Sequence, residues 1–159
     1  MQKAISRALG RALSGEGAHV EAQDVVAGLD WKSAGIAPPG APHTVFQLVN
    51  HLIYWQDWVV RWLDGRDPPL PDAASESWPG RAAPRNAAEW RTAVRRFRRG
   101  LDVLTRRSGA ADLFDTGNGK SPLEMLQTIA SHNSYHIGQI AVVRRMIGKW
   151  PPPSGGLTW

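Results

Sequence analysis

The stretch that decides the fold spans residues 121–147 and reads SPLEMLQTIASHNSYHIGQIAVVRRMI. Its serine, proline and glutamate have the spacing of a helix start, with a Ser N-cap, Pro in the first turn and a Glu that closes the capping box. On a helical wheel, seven of its positions fall within about 80° of one another. These positions are Met125, Ile129, His132, His136, Ile140, Val143 and Ile147. We therefore predict one long amphipathic helix, ended by Gly148, with both histidines near the middle of its buried face.

The spacing of the two histidines indicates a metal site. Residues four apart on a helix lie on the same side, with Cβ atoms about 6 Å apart, so His132 and His136 could share one ion. A buried histidine is also common as a hydrogen-bonded core residue, and that alternative stays open for the pair alone. A third inward-facing histidine on another helix would favour the metal, because one ion provides a partner for all three neutral imidazoles.

Residues 44–63 provide that third histidine. Thr44 and Gln47 have the spacing of a capping box, and the following Asp64-Gly65 is typical of a helix end. The apolar residues of this stretch fall within an arc of about 140°, the width of a core-facing stripe. His51 lies inside that arc. Two ligands from one helix and one from another match the three protein ligands of an open catalytic site, so we predict metal ligation by His51, His132 and His136.

The remaining segments complete an all-α pattern. Helical spacing of apolar residues predicts helices over 2–13 and 86–108, and a short helix over 20–29. Proline-rich and glycine-rich stretches at 31–42, 66–85 and 112–120 are predicted to be connections, with Trp78 anchoring the second of them. No alternating strand pattern and no repeat is present. The sequence thus predicts a four-helix bundle with long connections, a single domain over 1–159 whose residues 150–159 form a proline-rich tail held by Trp159.

Composition narrows the function classes. The chain has 159 residues and no cysteine, which excludes disulfides, thiolate ligands and a cysteine nucleophile. No apolar run resembles a signal peptide or a membrane span, so we expect a cytoplasmic protein. Much of the net charge of +5 comes from seven arginines between Arg91 and Arg107. We interpret them as a solvated helix face and do not expect a nucleic-acid partner, since no recognised binding motif accompanies them.

The segment from His132 to Gln139, HNSYHIGQ, together with His51 in VNHL, resembles the DinB/YfiT-like superfamily of damage-inducible, metal-dependent proteins. The resemblance extends over nearly the whole chain. It implies a four-helix bundle, often a homodimer, with a divalent metal held by three histidines, which correspond to His51, His132 and His136. The family includes thiol-dependent transferases and isomerases, besides many members with no known reaction.

Two function hypotheses follow from these residues. The first is a metal-dependent enzyme of the hydrolase or thiol-dependent transferase type. It would hold a divalent ion such as Zn, Ni or Fe and act on a small-molecule substrate, with a low-molecular-weight thiol as the candidate partner. The alternative is a non-catalytic bundle that binds a small molecule or serves in a stress response. Gln139 is the better candidate than Tyr135 to orient a ligand imidazole, because it lies nearer the buried stripe. His19 and His43 are not expected among the ligands, and no catalytic residue is assigned.

Overall fold

The computed structural model describes residues 1–116 and 119–156, and within these ranges the chain is all-α, as predicted. It forms five α-helices and one short 3-10 helix, and no strand occurs in the described ranges. The helices are α1 (Gln2–Ser14), α2 (Trp31–Ala34), α3 (Val45–Leu63), α4 (Ala87–Arg107) and α5 (Pro122–Met146), with the 3-10 helix at Ala74–Ser77. Gly117, Asn118 and Trp159, which carry the predicted turn and tail anchor, lie outside the described residues.

Local hydrogen bonds explain where the long helices begin. The Thr44 hydroxyl accepts the backbone N–H of Gln47 at 3.2 Å, and the Gln47 side chain accepts the N–H of Thr44 at 3.0 Å. Ser121 and Glu124 make the same reciprocal pair at the start of α5. These bonds satisfy backbone N–H groups that a helix leaves without a partner in its first turn. Both predicted capping boxes are confirmed.

The predicted helix over 20–29 is wrong. These residues form a series of turns, and the helix of this region is the four-residue α2, inside the stretch predicted to be a connection. Gly28 adopts a φ of 74°, in the left-handed region that ends a right-handed helix, and Asp30 then caps α2 by accepting the N–H of Ser33 at 2.7 Å. Val25 and Val26 are nevertheless buried, as their apolar spacing predicts.

The long helices pack around two apolar clusters with polar residues between them. α3 packs against α4 and α5, and α1 packs against the same two helices. On α5 one cluster ends at Ala130 and the other begins at Ile137. His132, Asn133 and His136 occupy the interval, so the predicted site lies where the apolar core is interrupted.

The segment between α3 and α4 folds back on α3. The indole N–H of Trp58 donates to the Pro69 carbonyl at 3.0 Å, and the Thr44 hydroxyl donates to the Ala82 carbonyl. These contacts place Ser77 and Trp78 over the middle of α3, where His51 lies. Within the residues that the structure describes, no helix is long and apolar enough to cross a membrane.

Candidate metal centre

The three predicted ligands lie together in the structure. His51 comes from the middle of α3, and His132 and His136 come from successive turns of α5. One nitrogen from each ring can be chosen so that all three lie within 4.8 Å of one another. The Nε2 atoms of His51 and His132 are 3.2 Å apart. No carboxylate belongs to this group, which is therefore an all-imidazole set of three.

All three imidazoles are held in the neutral form. Burial lowers the pKa of His51 and of His132 from the ordinary 6.5 to about 4, and it also lowers the pKa of His136. Electrostatic repulsion from at least one other histidine lowers the pKa of each of the three further. A neutral imidazole is the form that binds a metal, so the site is ready for ligation near neutral pH.

The rings of His51 and His136 are oriented by hydrogen bonds at Nδ1. His51 donates Nδ1–H to the Ser77 carbonyl at 3.1 Å, since a carbonyl oxygen can only accept. His136 donates Nδ1–H to the Gln139 side-chain oxygen at 2.7 Å, which confirms Gln139 as the orienting residue. Tyr135 instead packs edge-on against His136 with its side chain largely exposed. In both rings the bond at Nδ1 leaves an Nε2 lone pair available to a metal.

The third ring has no such partner. The Nδ1 atom of His132 is buried and makes no hydrogen bond. Asn133, the next residue on α5, is 1% exposed, and neither atom of its side-chain amide has a partner. Sequence reasoning did not single out Asn133.

A stack of three rings forms one wall of the site. The Trp78 indole lies between the imidazoles of His43 and His51, with ring centroids 3.7 Å and 3.8 Å away and interplanar angles of 13° and 7°. Trp78 is therefore more than the loop anchor predicted from the sequence, because it contacts a ligand ring directly. The sequence contains no signal for this contact beyond an isolated tryptophan in a turn-rich segment. His43 contacts Trp78 and does not belong to the group of three histidines.

His19 has a different role. Its Nδ1–H donates to the Val20 carbonyl at 2.7 Å, and its Nε2 accepts the Ser134 hydroxyl at 3.1 Å. It thus ties the turn after α1 to α5. As predicted, His19 is not one of the grouped ligands.

Three imidazoles are a donor set that could hold a divalent metal, and the spacing of one pair matches such a site. In a tetrahedral site with metal–nitrogen distances of about 2.0–2.1 Å, two ligand nitrogens lie about 3.3 Å apart, close to the 3.2 Å between the Nε2 atoms of His51 and His132. Without an ion, two nitrogen atoms at this distance need a shared proton. Three imidazoles suit Zn, Ni, Fe or Cu and do not distinguish among them.

Two cavities adjoin the residues that orient the ligands. One, of about 430 Å³, is lined by His43, Gln139 and apolar side chains of α5, and no charged residue lines it. The other, of about 720 Å³, lies between α3 and the 64–86 segment, beside Ser77 and Trp78. Both have the size of small-molecule cavities.

A family model described as the DinB superfamily matches residues 16–140 of the chain. The matched region contains all three grouped histidines. Searches of curated proteins and of solved structures found no match.

Proposed function

The chain belongs to the DinB superfamily, and on that premise we propose that it is a metal-dependent enzyme whose divalent ion is held by His51, His132 and His136. The observation that carries the proposal is the convergence of these three neutral imidazoles from two helices. The long helices are then the bundle typical of this superfamily. The single domain over 1–159, the homodimer and the cytoplasmic location stay predictions.

The number of protein ligands suits a catalytic metal site better than a structural one. Structural zinc sites are closed by four protein ligands, whereas catalytic sites keep a position for water or substrate. The group here has three ligands, which supports an open position. A divalent ion bound there would lower the pKa of a coordinated water or thiol and so generate a nucleophile near neutral pH.

The chain's own groups would fix the geometry and exclude water. Ser77 and Gln139 hold the rings of His51 and His136. Trp55 and Trp78 pack against His51 and shield it from solvent. A buried environment of this kind strengthens electrostatic interactions with a reacting group. We propose hydrolysis or thiol-dependent group transfer as the reaction class, with a low-molecular-weight thiol as the candidate co-substrate.

A non-catalytic small-molecule binder is the second candidate. The uncharged 430 Å³ cavity beside Gln139 favours it, since apolar cavities with a few polar groups are typical ligand sites. The coordination shell separates the two candidates. A fourth protein ligand in the loaded protein would favour the non-catalytic binder.

Metal analysis of protein purified without a histidine tag tests the proposal. We expect one divalent ion per chain in the wild type and its loss in His136→Ala. His19→Ala is the matched control, because it removes a half-buried histidine outside the ligand group and should keep the ion. A wild type without stoichiometric metal, together with unchanged affinity in His136→Ala, would refute the proposal.

A further inference from the structure

The three imidazoles of the candidate centre differ in one respect. His51 and His136 each have a hydrogen-bond acceptor at Nδ1, whereas the buried Nδ1 of His132 has no partner. Metal-binding histidines almost always have a partner at the nitrogen that does not bind the metal. A buried polar atom without a partner is destabilising, because it has lost its hydrogen bonds to water and gained none in exchange. Both facts indicate that a side chain near His132 serves its Nδ1.

Asn133 is the candidate side chain for this role. It follows His132 on α5, is 1% exposed, and lies in the interval between the two apolar clusters. Its amide nitrogen and oxygen are both buried without a partner. Asparagine is rare at fully buried positions, and almost all buried amides are hydrogen-bonded. Two adjacent residues therefore carry complementary unpaired groups in the same part of the core.

The tautomers of the rings explain why an amide suits this position. Neutral His51 donates from Nδ1, so its Nε2 carries no proton. The 3.2 Å contact then requires His132 to carry its proton on Nε2, which makes its Nδ1 an acceptor. Metal ligation uses the Nε2 lone pairs of both rings, and a neutral His132 then has its proton on Nδ1. A carboxamide suits both tautomers of His132. Its NH₂ can donate to the unprotonated Nδ1 of the metal-free form, and its oxygen can accept the Nδ1 proton of the metal-binding form.

We propose that Asn133 is a positioning residue for the metal centre, its side-chain oxygen accepting the Nδ1 proton of His132 in the metal-binding tautomer. The inference rests on the proposed function. It gives each of the three ligand rings a partner on this chain: the Ser77 carbonyl for His51, Gln139 for His136 and Asn133 for His132.

Three variants test the proposal through metal affinity, measured with Zn²⁺ in competition with a chromophoric chelator. Asn133→Leu removes the acceptor at similar volume and should weaken Zn²⁺ binding about 10–100-fold. Asn133→Asp keeps an acceptor oxygen and should retain binding. Gln56→Leu is the matched control, because Gln56 is also 1% exposed with both amide atoms unpaired but is not adjacent to a ligand. It should leave Zn²⁺ affinity unchanged.

The tautomer of His132 provides a second test, which uses the wild-type protein alone. ¹⁵N NMR of the imidazoles should show His132 protonated at Nδ1 in the Zn²⁺-loaded wild type and at Nε2 in the metal-free wild type. Thermal melting of the metal-free variants verifies that each is folded.

The outcomes separate this inference from the function it rests on. A wild type that binds no Zn²⁺ overturns both. A wild type that binds Zn²⁺, with equal affinity in Asn133→Leu or an equal loss in Gln56→Leu, overturns the role of Asn133 alone. A loss confined to Asn133→Leu, with retention in Asn133→Asp, supports it.

Discussion

Trp78 is the residue through which the 64–86 segment acts on the candidate metal centre. Its indole stacks on His51 at 3.8 Å, and the preceding Ser77 accepts the Nδ1–H of the same ring. Two consecutive residues of one loop therefore fix both the plane and the tautomer of the His51 ring. His43 covers the other face of the indole and restricts it further.

We expect Trp78→Ala to weaken metal binding about tenfold, the lower end of the range for the loss of a partner that orients a ligand. The physical reason is that Ser77 loses the stack that holds its carbonyl against His51. Chelator competition measures the effect. Leu70→Ala is the control, since Leu70 belongs to the same segment and is 67% exposed. Equal affinity in Trp78→Ala and the wild type would show that the loop does not position His51.

The contact between α3 and α4 depends on a glycine inside α4. Gly100 is buried, and a Cβ built on it would lie 2.2 Å from the Gln56 side-chain oxygen and 3.2 Å from the Gln56 Cβ. No atom of the chain could remain at the shorter distance. Glycine in the middle of a helix lowers stability by about 0.5–1 kcal/mol relative to alanine. At Gly100 this cost accompanies the close packing of α3 against α4.

Gly100→Ala should therefore destabilise the protein by about 1–3 kcal/mol, the usual cost of overpacking. The side chain of Gln56 causes the clash, so the same change made in a Gln56→Ala background should cost less. Gly138→Ala is the matched control. That glycine is also inside a helix, but apart from its chain neighbours and the adjoining helix backbone no atom lies within 4 Å of its Cβ position. Alanine there should stabilise by about 0.5–1 kcal/mol. Urea unfolding of the four variants measures these differences, and a stabilising Gly100→Ala would contradict the packing argument.

The buried histidines make the stability of the whole molecule depend on pH. In the unfolded chain they take up protons below the ordinary pKa of 6.5, whereas in the folded protein His51 and His132 take them up only near pH 4. Between these values the unfolded state binds more protons, so stability increases with pH across this window. The stabilisation is complete above pH 6.5 and is lost as the pH falls towards 4.

We expect the urea midpoint of metal-free protein, kept in a chelator, to decrease steadily from pH 6.5 to pH 4 and to be nearly constant from 6.5 to 8. His132→Gln removes one titrating group and should reduce the slope between pH 4 and 6.5. An identical slope in the variant would show that His132 is not held neutral by the fold.

The sequence predicted helix boundaries well where short-range hydrogen bonds fix them. Thr44 with Gln47 and Ser121 with Glu124 begin α3 and α5 as expected, because a capping box involves residues only three apart. The 20–29 segment shows the limit of this reasoning. Its apolar spacing predicted burial correctly, but the left-handed Gly28 and the cap at Asp30 gave it a different backbone.

By itself, the sequence determined the all-α class and the inward placement of three histidines, because helical periodicity puts His51, His132 and His136 on the buried faces of their helices. Only the tertiary structure decided which groups orient these rings. The Ser77 carbonyl reaches His51 across 26 residues, and buried Arg144 donates to the Val25 carbonyl across 119. Such contacts depend on how loops return to the helices, which no local pattern encodes. The inward-facing histidines can therefore be predicted from periodicity, whereas the partners that orient their rings depend on the fold.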